Sequence, residues 1–162
     1  MVEDVQIRKG LYYSIVTSSS FDIDTGGSLG LFTDGPVINT ETNASALATT
    51  SLAQRCTYLM HQIIGHFTPI LFTPATSSHM ACTDVFADKW MTLVIKPALE
   101  CDGVYKPLET LQKMIEIDWG KEGLCSACVV EKKAEWKDEQ EMVWAKMDEW
   151  LVPAINDQVN VS

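Results

Sequence analysis

Two short pairs of metal-ligating side chains, His79-x-x-Cys82 and Cys125-x-x-Cys128, are the residues best suited to chemistry in this chain. Residues three apart on a helix are neighbours on one face, so each pair can grip one side of an ion. Zinc accepts three thiolates and an imidazole in a tetrahedral set, and a closed set of that kind marks a structural site. Both pairs fall where a helix is expected to start, after Ser77-Ser78 and after Gly123-Leu124. The positive end of the helix dipole favours thiolates there. A shared zinc would fasten the second helix to the last one and order both ends.

Two other readings compete. Free cysteine is among the most buried residue types, and Cys82 lies on an apolar stripe, so these thiols also fit a plain core. Cys56, in the middle of the first helical stripe, fits only a core, and Cys101 is a substitute ligand candidate. Cys125-Ser126-Ala127-Cys128 also has the form of a redox dithiol at a helix start. A thioredoxin-type fold would place that dithiol after its first strand, with most of the sheet still to come. The chain after Cys128 reads instead as one helix and a tail.

Other motifs are weaker. Asp24-Thr25-Gly26 occurs once, whereas paired catalytic carboxylates need two such turns and strands throughout. Asp22-x-Asp24 opens like a calcium loop, but its twelfth position is Thr33 instead of a bidentate glutamate. His61 and His66 sit near the expected end of a helix, where the dipole favours imidazolium, with no clustered nucleophile in sequence. No nucleophile elbow, phosphate-cradling loop or dinucleotide fingerprint occurs.

The elements that must position these residues are mainly helical. From Thr42 the apolar period is that of a helix, with Leu52, Cys56, Leu59, Met60, Ile63 and Phe67 on one stripe and Gly65 with Pro69 expected to end it. Thr68 to Ser78 reads as a loop into a second helix carrying Cys82, Val85, Phe86, Trp90, Leu93 and Val94, stopped at Pro97. Pro107 opens a short third helix with Leu108, Leu111, Met114 and Ile115. The last helix spans about Ser126 to Val152, with Cys128, Val129, Trp136, Val143, Met147, Trp150 and Leu151 on one side. Upstream, Val5, Ile7, Leu11, Tyr13 and Ile15 alternate imperfectly and Gly-rich turns follow, which predicts an extended or hairpin segment packed on the helices. The expected fold is therefore mainly α: about four helices in an irregular bundle over residues 41–152, an N-terminal extended segment over 1–40 and a flexible tail over 153–162.

Composition bounds the partners. The 162 residues carry 12 basic and 22 acidic side chains, a formal charge of −10. Such a surface repels phosphate backbones and anionic lipid, so neither nucleic acid nor a membrane is an expected partner. No apolar run reaches the roughly 18 residues of a membrane span. Five cysteines is an odd number and no secretory leader is apparent, so an intracellular, reducing location is expected.

His79-Met-Ala-Cys82, the stretch Ile117-Asp-Trp119-Gly-Lys-Glu-Gly123-Leu-Cys125-Ser-Ala-Cys128, and Glu135-Trp136 through Met147-Asp-Glu-Trp150-Leu151 belong together. They resemble the region that follows the BTB/POZ domain in a large group of proteins from mushroom-forming fungi. The resemblance covers residues 67–152 and implies one structural unit containing the dithiol. BTB/POZ domains mediate homodimerisation and adaptor contacts, but residues 1–66 are too few for that domain and show none of its pattern, so those roles do not carry over.

The function expected from these readings is a non-enzymatic protein-interaction module, with structural zinc on His79, Cys82, Cys125 and Cys128. Its contact surface, for a partner or for self-association, is expected on the last helix, with Trp144 and Trp150 as anchors. The alternative is a small-molecule binder or enzyme with an apolar cavity between helices, lined by Leu59, Ile63, Phe86 and Trp90.

Overall fold

The computed structural model describes residues 2–18 and 41–151. These are helical: α1 (Val2–Thr17), α2 (Glu41–Phe72), α3 (Met80–Trp90), α4 (Lys96–Glu100), α5 (Pro107–Glu116), α6 (Trp119–Glu122) and α7 (Ser126–Leu151). A π-helical turn, Met91–Ile95, joins α3 to α4. The mainly α reading holds, and there is no strand among the described residues.

The expected N-terminal extended segment is corrected over residues 2–17, which form α1. The apolar spacing there is ambiguous, and burial resolves it. Lys9, Tyr13 and Val16, spaced i, i+4, i+7, are buried together, a helical stripe that a strand would have divided between two faces. The Ser18-Ser19-Ser20 interruption begins at the helix end, and the glycine-rich turns beyond it lie outside the described residues. So do the Asp22-x-Asp24 and Asp24-Thr25-Gly26 motifs and the expected tail at 153–162.

Two helix ends fall later than the prolines predict. Pro69 lies inside α2, which runs on to Phe72. Pro69 gives up one hydrogen bond to the Gly65 carbonyl, and fully buried Phe67 and Leu71 hold the last turns in the core. The Leu71 carbonyl, one of those a helix end leaves unpaired, accepts the Trp90 indole N–H at 2.8 Å. Pro97 likewise does not stop the second helix. The preceding π turn, in which the Lys96 N–H bonds Met91 O, shifts the register so that Pro97 enters in the first turn of α4, where a missing N–H costs little.

The core has two parts. One joins Phe67 and Leu71 of α2 to Cys82, Phe86 and Trp90 of α3, Leu111 and Met114 of α5, Trp119 of α6 and Cys128 and Trp136 of α7. Phe86 meets Trp90, Trp119 and Trp136 edge-on, with ring centroids 4.9–6.2 Å apart. This arrangement satisfies the aromatic quadrupoles while filling volume. The other part joins Tyr13 and Val16 of α1, Cys56, Leu59, Met60 and Ile63 of α2, and Met147 of α7. α7 therefore runs past both.

Of the residues expected to line a cavity, Leu59 and Ile63 pack in one core and Phe86 and Trp90 in the other. Trp90 does border a surface cleft of about 360 Å³ with Trp136, Lys132, Glu135 and Glu139, but the other three residues take no part in it. Among the described residues, no helix is long and apolar enough to cross a membrane.

Candidate metal centre

The loop after α2 and the segment α6 bring the two ligand pairs together. Ser77 and Thr83 fix the first. The Ser77 N–H donates to Thr83 Oγ1 at 3.0 Å, Thr83 Oγ1 donates to Ser77 O at 3.2 Å, and Ser77 Oγ donates to His79 O at 2.9 Å. His79 is the N-cap of α3, in extended conformation at φ −102 and ψ 122, and its carbonyl accepts from the Cys82 and Thr83 N–H groups. Its side chain is thus aimed before the helix begins, while Cys82 sits in the first turn.

The second pair is placed by a one-turn helix. The Asp118 carboxylate caps α6 by accepting from the Lys121 N–H, and this bond chiefly holds its pKa below the ordinary value. Fully buried Trp119 anchors the turn through its indole N–H to Met114 O, 2.9 Å. Gly123 then closes it at φ 116, a left-handed conformation that suits glycine. The chain leaves this turn so that Leu124 is buried and Cys125 stands directly before α7, with Cys128 in the first turn.

One ligand atom from each of His79, Cys82, Cys125 and Cys128 lies within 4.8 Å of all the others. His79 Nδ1 is 3.2 Å from Cys125 Sγ and 3.4 Å from Cys128 Sγ, and Cys82 Sγ is 3.7 Å from Cys125 Sγ. With Zn–S bonds near about 2.3 Å and Zn–N near about 2.0 Å, the edges of a tetrahedron are about 3.8 Å between sulfurs and about 3.5 Å between nitrogen and sulfur. These three spacings come within about 0.3 Å of those edges, and the other three are bounded at 4.8 Å. They exceed a disulfide bond length of about 2.05 Å by far. The three cysteines are free thiols, and Cys82 and Cys128 are buried while His79 faces outward.

The electrostatics favour a thiolate at the centre. The Cys125 thiol is lowered to about 6, first by the Cys128 backbone N–H and then by the His79 imidazole and the Cys128 thiol. Cys82 accepts the Cys125 N–H at 3.5 Å, which lowers its pKa, but burial and the neighbouring sulfurs outweigh that and leave it raised. Of Cys82 and Cys125, the negative charge is therefore favoured on Cys125.

The remaining sequence candidates lie elsewhere. Cys56 is buried in the α1–α2–α7 core, as expected. Cys101 is not a ligand: its thiol donates to Pro97 O at 2.9 Å and receives Lys113 Nζ at 3.1 Å. His66 pairs with Glu139 at 2.6 Å beside the Trp150 ring, and His61 is exposed. The two tryptophans expected to anchor a partner are engaged within the chain. Trp144 donates to Gln6 Oε1, meets Tyr13 edge-on and receives Lys9 Nζ 4.6 Å from its ring centroid, and Trp150 lies against His66.

Sequence reasoning missed Lys9. It is 2% exposed, with Nζ 2.9 Å from Asp148 Oδ2 and 3.0 Å from Trp144 O. Its place on the Tyr13–Val16 stripe was the available signal.

The fold and centre together define a helical protein in which one histidine and three cysteines cluster closely enough to hold a metal ion. Compared with protein-family models, curated proteins and solved structures, the chain matches none of them.

Proposed function

We propose that the chain is a non-enzymatic protein-interaction module whose helical core is fastened by one structural zinc ion, held by His79 Nδ1 and the sulfurs of Cys82, Cys125 and Cys128. The observation that carries the reading is the convergence of four soft donors from two helix starts onto one point. Three thiolates and an imidazole complete a tetrahedron and leave no open position for substrate, which makes the ion structural instead of catalytic. Each helix start supplies one ligand before its first turn and one within it, so the ion ties α3 to α7 at their N-termini, where the dipoles favour anionic ligands.

One feature supports the interaction half of the reading: α1 presents Ile7 at 71% and Leu11 at 59% exposure. Isolated exposed aliphatics are ordinary, but a row of them on one helix marks a contact surface.

Elemental analysis of protein purified without added metal, read against chain concentration, tests the zinc. One zinc per chain is expected, with a fall in Tm on chelation that added zinc reverses, because a ligand bound only to the native state stabilises it by mass action. Metal-free protein whose Tm ignores added zinc would overturn the reading. The lowered Cys125 thiol also suits a redox dithiol. Reversible oxidation of Cys125 and Cys128 in zinc-loaded protein at an ordinary glutathione poise would favour that second reading.

A further inference from the structure

The outer side of α1 and α2 carries a groove that the cores do not fill. Arg8, Leu11, Tyr12 and Ile15 of α1, spaced i, i+3, i+4, i+7, form one wall, and Leu52 and Arg55 of α2 form the other. The space measures about 360 Å³, room for a few aliphatic side chains from one face of a helix. Tyr12 and Ile15 rest partly on the core beneath, whereas Leu11 and Leu52 are exposed.

Its charge is exceptional for this chain. Arg8 and Arg55 are the only two arginines in the sequence, and both edge this groove. Among the described residues no carboxylate lines it, although acidic residues outnumber basic ones 22 to 12 overall. Among the described residues, neither guanidinium has a hydrogen-bond or ion-pair partner, while Lys9, Lys89, Lys121 and Lys132 all do. A guanidinium offers a planar fork of donors that matches a carboxylate in two parallel bonds, and arginine is enriched where interfaces hold their energy.

We infer that this groove docks an acidic amphipathic helix of a partner chain, its aliphatic residues entering between α1 and α2 and its carboxylates meeting Arg8 and Arg55. The inference rests on the interaction-module half of the reading above and is independent of the zinc. A second copy fits less well. The acidic helical row of this chain, Glu131, Glu135, Asp138 and Glu149 about Met142, is exposed along a flank of α7, and Glu135 is already paired with Lys132. A contact between that row and the groove would be head-to-tail, which propagates into an open chain unless its rotation closes.

The test uses the full zinc-loaded chain and a labelled, capped synthetic helix with leucines at i, i+3, i+4 and i+7 and glutamates flanking them. Fluorescence anisotropy should show saturable binding that weakens with added salt. The same helix with lysines for glutamates should bind at least about tenfold more weakly, and so should the glutamate helix to an Arg8→Glu/Arg55→Glu chain, since like charges now face each other. Arg8→Gln/Arg55→Gln, which removes charge without reversing it, should fall between. Unchanged Tm in these variants establishes that the fold is intact.

Equal affinity for both helices, no binding, or indifference to the arginine changes would overturn the groove. So would a wild-type mass in sedimentation that exceeds one chain and falls to one chain in the charge-reversed variant, because a second copy would then be the occupant. Glutamate-helix binding that survives both arginine changes would sink the groove and leave the module reading standing. Zinc content measured on the same samples judges the metal reading separately.

Discussion

The Nδ1 atom of His79 lies 3.2 Å from the sulfur of Cys125, although 46 residues separate them in sequence. Each is the first member of its pair, and each precedes a helix. Everything between them, α3 to α6, forms a closed excursion whose two ends meet at one cluster.

The four ligands are expected to contribute unequally. Cys128 is fully buried and Cys125 carries the lowered thiol, whereas His79 faces solvent. Cys128→Ser should abolish stoichiometric zinc, while His79→Ala should retain a weaker site in which water takes the fourth position. Competition with a chromophoric chelator gives the two affinities. Equal affinities for His79→Ala and wild type would exclude the imidazole as a ligand.

Gly123→Ala places a Cβ at φ 116, where an L-residue costs about 1–2 kcal/mol, and brings it 3.4 Å from Val85 Cγ2. Because this turn aims Cys125, zinc affinity should fall together with the urea midpoint. A variant with reduced stability but wild-type zinc affinity would separate the turn from the centre.

Tyr13 makes an alkaline prediction. Its hydroxyl donates to Glu109 and accepts the Leu108 N–H at 3.3 Å, tying α1 to the start of α5. Burial chiefly, and then the Glu109 carboxylate, push its pKa well above the ordinary value. A phenol raised on folding contributes fully below the unfolded pKa of about 10, and that contribution is lost as pH rises beyond it. Tyr13→Phe should cost about 1 kcal/mol at neutral pH and flatten the decline in stability above pH about 10. Urea midpoints across that range check both.

Lys9→Met retains most of the buried volume and removes the ammonium held by Asp148, the Trp144 carbonyl and the Trp144 ring. Asp148 is about half exposed and can return to water, so the cost is set mainly by the Trp144 contacts, about 1–2 kcal/mol. Limited proteolysis should then cut at α1 sooner than in wild type. Unchanged protection would mean that α1 is held by Tyr13 and Val16 alone.

Much of the centre was legible because its signals are local. The x-x spacing of each pair, Ser77 before His79 and Gly123 before Cys125 are all read within a few residues, and they mark helix starts where thiolates are favoured. Cys101 was harder to sort, since residue type alone does not say which thiols share a point in space. Pro69 and Pro97 misled for a related reason: burial of Phe67 and Leu71 carries α2 past the first, and a π turn places the second in the first turn of α4.

By itself the sequence determined the helical class, the principal helix starts and the four soft donors, because periodicity, capping and ligand chemistry act over one or two turns. Only the tertiary structure decided that residues 2–17 are a helix, that Trp144 and Trp150 are engaged by α1 and α2, and that both arginines border one groove. Those facts depend on contacts such as Lys9 with Asp148, 139 positions apart. No local pattern encodes which distant face will cover a given side chain, so burial had to be read from the folded chain.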